Sequence, residues 1–273
     1  MGIREEDVGL INKYRDSDIP FIHLNDNEPY FTKKEIEWGL LEKPYERYYI
    51  LDDLKRCRGA FACIIGNKLE YKPNHNRRIK PTAWKSIKCK DIEDGEYLYN
   101  RCHLIGRQLS TKKANRRGLL TGTRNFNIKG MSKFENKVAE YIKKNQDQPV
   151  LYRVTPYFKG KNLLAYGVKM EAFSVKDNGM GVSYNVFVYN RQPQFDIDYK
   201  KGEVYSNNCM SLEGNLKPWN VYVLDSDTKR FHIASCIGIC NLKRTNEMYF
   251  VGEVQTLIEN GCSERETCNT EIR

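Results

Sequence analysis

The sequence lacks any long apolar run. No stretch of its 273 residues approaches the about 20 apolar residues that a membrane-spanning helix requires. The N-terminal segment MGIREEDVGLINKYRDSD has no apolar core, and Glu6 stands where a myristoylation signal has Ser or Thr. We therefore expect no signal peptide, no lipid anchor and no membrane partner, so the chain as written is expected to be cytoplasmic.

The chain has an odd number of cysteines, nine in all. Without a secretion signal, this number argues against a disulfide framework. Free buried thiols, with one metal cluster at most, are the simpler expectation.

Acidic residues are scarce between Arg101 and Lys144, where twelve Lys and Arg accompany two acids, Glu135 and Glu140. The net charge of this segment, +10, equals that of the whole chain. A surface of one sign favours an anionic partner, nucleic acid first. The residues expected to contact the phosphate backbone are Arg107, Lys112, Lys113, Arg116 and Arg117.

Apolar periodicity predicts an α+β fold. The apolar run at 60–65 predicts a buried strand, and GEYLYNRCHLIG predicts a second strand after the Asp94-Gly95 turn. Runs at 150–158, 163–175 and 182–190, separated by turn residues, predict an antiparallel meander. A helix opening at 130–132 is predicted by an apolar stripe of Phe134, Val138, Tyr141 and Ile142.

Composition divides the chain into four parts. Residues 1–20 are polar and predicted to be a flexible arm, and 21–198 form the main domain. Residues 199–216 are polar and predicted to be a linker. The remainder, 217–273, is predicted to be a small hairpin and helix module, with a turn near 225–228 and a helix at 253–260 that ends at Gly261.

The stretch LYNRCHLIGRQ sets Cys102 beside His103 in a chain with only four histidines. The pair could bind a metal, could form a thiol nucleophile with its base, or could be a histidine beside a buried cysteine. On a strand, neighbouring side chains point to opposite faces, which favours the third reading. His103 then shares a face with Arg101. The alternative to a catalytic His103 is a structural one, in which its side chain is hydrogen-bonded to the backbone.

Asn127 and Glu135, which lie further along the chain, could complete a metal site with His103. The carbonyl oxygen of Asn127 is a hard neutral ligand that suits Mg²⁺, and Glu135 could accept from a metal-bound water at the start of the helix. A histidine beside such an ion could deprotonate a water for attack on phosphorus.

A resemblance supports this interpretation. The segments NRCHLIGRQL, LLTGTRNFNIKGMSKFENKVAEYI, LYRVTPYF, GVKMEAFSV and VSYNVFVYN resemble the DNA/RNA non-specific endonuclease family, in particular the streptococcal-DNase-like secreted nucleases of Gram-positive bacteria. The similarity covers roughly residues 21–200. It implies a ββα-metal (His-Me finger) core mounted on an antiparallel sheet, which cleaves DNA and RNA with Mg²⁺, or Mn²⁺ or Ca²⁺ in its place.

The resemblance also implies roles for individual residues. His103 matches the general base that ends the family's DRGH signature, and Arg101 matches its arginine. Asn127 matches the asparagine that binds the cation, and Glu135 matches the helical glutamate that holds the metal's water shell. Arg124 is a candidate for a phosphate or transition-state contact, with ordinary surface charge as its alternative.

The chain departs from the family pattern at three positions. Asn100 and Cys102 replace the Asp and Gly of the signature, a variant that resembles the Gram-positive branch. Gly118 stands where relatives commonly have a second asparagine, nine residues before Asn127, so we expect that it could weaken activity.

The C-terminal segment contains His-x₃-Cys at His232 and Cys236. This pattern resembles the small Ada-type zinc module, in which Cys-x₂-Cys completes the site. Here Arg265 occupies the first cysteine position of that pair, and Cys268 remains. The candidate Zn²⁺ ligands are His232, Cys236, Cys262 and Cys268, with Cys240 as a substitute, and a metal-free remnant is the alternative.

Two functions from different classes follow. The first is a metal-dependent endonuclease of little sequence specificity. The second is a nucleic-acid-binding protein that has lost catalysis, in agreement with Gly118 and the degenerate C-terminal cluster. An active nuclease inside the cell would require a cognate inhibitor, whereas members of the family are usually secreted.

Overall fold

The structure, a computed structural model, describes residues 2–15, 19–69, 79–87, 97–193, 195–206, 220–225, 228–233, 247–252, 257–258 and 260–264. Two compact units divide the chain: Met1–Val8 with Pro20–Met210, and Gly9–Ile19 with Ser211–Arg273. In this described part of the chain, none of the helices has the length and apolarity that crossing a membrane demands.

A six-stranded antiparallel sheet forms the centre of the larger unit, in the order β1-β8-β7-β6-β3-β2. The meander predicted from turn spacing is confirmed as β6, β7 and β8, although β7 begins at Gly167 and not at 163. The six strands are β1 (Phe21–His23), β2 (Tyr45–Tyr48), β3 (Ala60–Ile65), β6 (Pro149–Tyr157), β7 (Gly167–Ser174) and β8 (Ser183–Tyr189).

Helix α3 (Ser132–Lys144) covers one face of this sheet. Its buried side chains are Phe134, Val138 and Ile142, which are three members of the predicted stripe. They share one core cluster with Tyr152 and Tyr184 of the sheet. A π-helix (Phe126–Met131) precedes α3, in a region where the sequence suggested only a loop.

The opposite face of the sheet carries a buried ionic network under helix α2 (Lys33–Leu40). Arg153 donates to the carboxylate of Glu171 at 2.8 Å and to that of Glu35 at 3.0 Å, and Lys169 lies 3.2 Å from Asp7. Burial alone would raise the pKa of Glu171, but the hydrogen bonds and charge of Arg153 outweigh it and lower that pKa. Removing Glu171 would leave Arg153 and Lys169 with fewer counter-charges at a buried position, which is destabilising.

Two further strand pairs complete the larger unit. Strand β4 (Tyr99–His103) pairs with β5 (Leu119–Thr123), and β9 (Phe195–Asp198) pairs with β10 (Glu203–Ser206). Strand β10 falls inside the segment 199–216 that we predicted to be a linker, so part of this segment is a strand, and the predicted domain bounds stay a prediction. Residues 207–216 lie outside the described residues.

The N-terminal residues that were predicted to be a flexible arm contain helix α1 (Glu5–Lys13). The smaller unit contains a four-stranded sheet in the order β13-β11-β12-β14. Gly261 has a φ of +76°. The N–H of Gly261 donates to the carbonyl of Ile258 and the N–H of Cys262 to the carbonyl of Leu257, which is the helix-ending geometry predicted for this glycine. The strands are β11 (Asn220–Asp225), β12 (Arg230–Ile233), β13 (Glu247–Gly252) and β14 (Ser263–Glu264).

Candidate functional site

Strand alternation separates Cys102 from His103. In β4, Cys102 opposes Leu120 and His103 opposes Leu119 of β5. Cys102 is completely buried in the main core, and burial raises the pKa of its thiol well above the ordinary value. The thiol is therefore a packing group and not a nucleophile, as the alternation predicted.

His103 is held in its neutral form. Burial is the larger cause and the positive charge of Arg107 is the smaller one, and together they lower the pKa of His103 to about 4. A neutral imidazole at pH 7 has a free nitrogen lone pair and can accept a proton from water.

The carboxylate of Glu135 lies against the backbone of the loop that follows His103. A Cβ added to Gly106 would lie 2.6 Å from Glu135 Oε2 and 2.7 Å from Cδ, so only glycine leaves this space open. Burial raises the pKa of Glu135 to about 7. The start of α3 therefore lies close to Gly106, which is three positions after His103. Glu135 and His103 are 32 positions apart in the sequence.

Asn127 is the second residue of the π-helix that joins β5 to α3. The backbone carbonyl oxygen of Asn127 accepts from the backbone N–H of Ser132 and, at 2.8 Å, from Ser132 Oγ. The i→i+5 spacing distinguishes this turn from the helix that follows, and such π-turns occur frequently at functional sites.

The two arginines predicted to be catalytic have contacts of their own. Arg101 Nε donates to the carbonyl of Ile79 at 2.7 Å, and its guanidinium lies 3.9 Å from the centre of the Trp84 ring. These contacts join β4 to the segment that precedes it. Arg124 is half-buried directly after β5, and its backbone N–H donates to the carbonyl of Leu98.

The predicted nucleic-acid contacts lie on the connection from β4 to β5. This connection is joined to β2 through Glu46, which accepts from Ser110 Oγ at 2.5 Å and from Thr111 N–H at 3.1 Å. Lys112 Nζ donates to the carbonyl of Glu46. Sequence reasoning missed Glu46, because it stands more than 60 positions before its partners. The five basic residues, all exposed, are Arg107, Lys112, Lys113, Arg116 and Arg117.

The ring of Tyr48 occupies the space over Gly118. A Cβ at Gly118 would lie 2.5 Å from Tyr48 Cε1, and the Tyr48 hydroxyl donates to the carboxylate of Glu46. The carbonyl of Gly118 accepts from the N–H of Leu104, the residue after His103, at 2.9 Å. An asparagine at this position would therefore collide with the tyrosine ring.

The candidate zinc ligands are only partly visible. His232 belongs to β12, where its backbone opposes Val223, and Cys262 is a half-buried free cysteine. Cys236, Cys240, Cys268 and the His232 side chain lie outside the described residues. The zinc hypothesis therefore stays a prediction.

Comparison with known proteins identifies relatives of this chain. Residues 34–176 match the sequence family described as DNA/RNA non-specific endonuclease. A deoxyribonuclease from Streptococcus dysgalactiae subsp. equisimilis is 30% identical over an alignment of 211 residues, and the match covers 62% of this chain and 63% of that protein. The chain thus spans less than two thirds of the length of this curated relative.

Solved structures share the fold. The magnesium-bound NucA of Streptococcus agalactiae has a TM-score of 0.60 at 21% identity, over 75% of this chain and 97% of that one. The Sda1 nuclease with bound zinc ion has a TM-score of 0.58 at 23% identity, over 72% and 99% of the two chains. The α+β architecture is therefore confirmed, and because the family match spans more than half of the sequence, this chain belongs to the DNA/RNA non-specific endonuclease family.

Proposed function

We propose that this chain hydrolyses phosphodiester bonds of DNA, RNA or both, with a divalent cation and little sequence specificity. The observation that carries the proposal is the approach of the Glu135 carboxylate to Gly106, beside a His103 that remains neutral at pH 7. Titratable groups with strongly shifted pKa values and a basic surface around them are typical of a phosphodiester-cleaving site.

The donors available at the site suit Mg²⁺. Asn127 offers an amide oxygen and Glu135 a carboxylate, both hard ligands that leave room for several waters on the ion. Burial makes ionisation of Glu135 costly, and a cation would offset that cost. Mg²⁺ in NucA and Zn²⁺ in Sda1 support a divalent ion, and Mn²⁺ or Ca²⁺ offers similar oxygen coordination. We propose that Asn127 binds the ion and that Glu135 holds its waters.

The residues of the chain then divide the chemistry between them. Neutral His103 accepts a proton from the attacking water, and burial, together with the smaller effect of the Arg107 charge, keeps the imidazole unprotonated until that step. The bound cation supplies charge neutralisation at the phosphate and at the departing 3′ oxygen. Arg124 is proposed to contact the phosphate, whereas Arg101 is proposed to support the site through Trp84 and Ile79.

The exposed basic connection between β4 and β5 favours a polyanion over a small substrate. Contacts to phosphates fix the orientation of a nucleic acid and carry no sequence information directly, which agrees with low specificity. Each phosphate that these side chains neutralise should add about 0.9 to the log–log salt slope for duplex DNA.

Plasmid digestion tests the proposal. Cleavage is expected with Mg²⁺, and it should disappear with EDTA, with His103→Ala and with Asn127→Ala. His23→Ala is a matched control, because His23 is exposed and its described side-chain contacts are local, namely a hydrogen bond with Asn27 and an edge-on contact with the Phe21 ring. Cleavage that survives loss of His103 would exclude the mechanism. Tight, salt-sensitive binding without cleavage by any divalent ion would favour the non-catalytic binding protein.

We also propose a zinc site in the smaller unit, on the basis of the His-x₃-Cys spacing at His232 and Cys236. Elemental analysis should find one zinc per chain, and His232→Ala should remove it. A freshly prepared protein without zinc would contradict this proposal.

A further inference from the structure

Every polar atom of Asn190, the residue after β8, is hydrogen-bonded, and its side chain joins β5 to the segment that precedes β7. Its Oδ1 accepts from the N–H of Thr123 at 2.9 Å, and its Nδ2 donates to the carbonyls of Thr121 and Ala165, both at 3.0 Å. Its own N–H donates to Tyr166 O at 2.9 Å, and its carbonyl accepts from Tyr199 Oη at 2.7 Å. The residue is completely buried, so each of these bonds replaces a lost bond to water.

The two residues that follow extend this connection along the chain. The carbonyl of Arg191 accepts from Thr123 Oγ1 at 2.5 Å, and Oε1 of Gln192 accepts from the N–H of Asn125 at 3.0 Å. Thr123 Oγ1 in turn accepts from the N–H of Phe126 at 3.1 Å. Residues 190–192 therefore hold Thr123 and Asn125, at the corner where β5 ends and the π-helix begins.

This corner determines where Asn127 stands. Strands β4 and β5 form a two-stranded sheet of their own, so the main-chain ladder of the large sheet does not fix them. The bonds from 190–192 supply a link, and Asn127 follows the held Asn125 by two residues. A shift of this corner would move the amide of Asn127 relative to His103.

We infer that Asn190 and Gln192 are positioning residues that orient the cation-binding amide of Asn127. The inference rests on the proposed function. Both residues lie beyond the range 34–176 that matches the endonuclease family. Their role is exerted through backbone atoms of β5 and the π-helix, and neither needs to touch the ion or the nucleic acid.

Gln192 is the residue to change, because it is only half-buried and its replacement leaves the core intact. Gln192→Met preserves length but removes the acceptor for Asn125 N–H, whereas Gln192→Glu keeps an acceptor oxygen there. Gln148→Met makes the same exchange outside the site, since the described contact of Gln148 is with Asp147. Binding of Mn²⁺ is measured by electron paramagnetic resonance on the full chain, without nucleic acid, so that the readout does not depend on cleavage.

Gln192→Met is expected to weaken Mn²⁺ binding by about tenfold, as is typical for groups that support a metal ligand. Gln192→Glu should bind Mn²⁺ at least as tightly as the wild type, and Gln148→Met should be unchanged. Asn190→Asp, which loses both donors of Nδ2, should also bind more weakly. If that variant does not fold, the two Gln192 variants still decide the question.

The outcomes separate the inference from the function on which it rests. Wild-type Mn²⁺ binding in Gln192→Met, together with lost binding in Asn127→Ala, would overturn the positioning role and leave the cation site in place. Undiminished binding in Asn127→Ala would overturn the proposed cation site and the inference with it. Equal weakening in Gln192→Met and Gln148→Met would also overturn the positioning role, because it would indicate a general loss of structure.

Discussion

Replacing Gly118 tests whether this departure from the family pattern weakens the site or is required by the packing of Tyr48 against it. In Gly118→Ala the new Cβ would lie 2.5 Å from Cε1, 2.9 Å from Cδ1 and 3.1 Å from Cζ of Tyr48. The ring cannot simply turn away, because its hydroxyl is bonded to Glu46 and its face packs against the main core. We expect the substitution to force either the ring or the backbone to move.

The magnitude follows from two opposing terms. Overpacking of this kind costs about 1–3 kcal/mol, and the lower entropy of the unfolded alanine chain offsets about 0.4–1 kcal/mol. The expected net loss of unfolding free energy for Gly118→Ala is therefore about 1–2 kcal/mol, measured by urea denaturation. Gly9→Ala is the control: Gly9 has nothing within 4 Å of a new Cβ and lies inside α1, so a small gain is expected there.

A double-mutant cycle identifies the cause. In a Tyr48→Leu background the ring atoms are absent, and Gly118→Ala should then cost less than about 0.5 kcal/mol. The same loss in both backgrounds, or a gain like that of Gly9→Ala, would refute the reasoning.

Gly118→Asn, which restores the residue common in relatives, is expected to lower plasmid cleavage, because the backbone carbonyl of Gly118 accepts from the N–H of Leu104, the residue after His103. Higher activity in that variant would show that the glycine is a defect.

Further predictions concern the charged groups. His103 should titrate near pH 4 by NMR, and Arg107→Gln should raise that midpoint, since a nearby positive charge lowers the pKa; a midpoint near 6.5 would contradict the burial argument. Without metal, Glu135 should destabilise the fold as pH rises from 4.5 to about 7, because its ionisation is harder in the folded chain. Glu135→Gln should therefore stabilise the EDTA-treated protein by at most about 3 kcal/mol at pH 8 and by little at pH 4, as measured by urea denaturation, and an equal effect at both values would refute this. Glu171→Gln should cost about 3 kcal/mol in the same assay, because Arg153 loses the carboxylate that accepts two of its hydrogen bonds and keeps only Glu35 as an ionic partner, and a loss below about 1 kcal/mol would contradict the role of the network.

Local sequence patterns predicted a large part of the fold. Strand alternation placed Cys102 in the core and His103 away from it, because successive side chains of a strand point to opposite faces. The apolar stripe of α3 was visible because burial on one face of a helix imposes a period on the sequence. Strands β6 to β8 are buried along almost their whole length and were visible instead as apolar runs separated by turn residues. The π-helix before α3 was not predicted, because one additional residue per turn leaves no such period.

The sequence by itself determined the β6 to β8 meander, the apolar stripe of α3, the one-signed charge of residues 101–144 and the family. It could not determine which groups meet across long separations in the chain. Arg101 was paired with His103 by alternation, but its guanidinium is occupied by Ile79 and Trp84. The contact of Glu135 with Gly106 and that of Tyr48 with Gly118 depend on how separate segments pack. Tertiary structure alone decided them, because the closest approach of two side chains is set by every residue packed around them and not by the period of either segment.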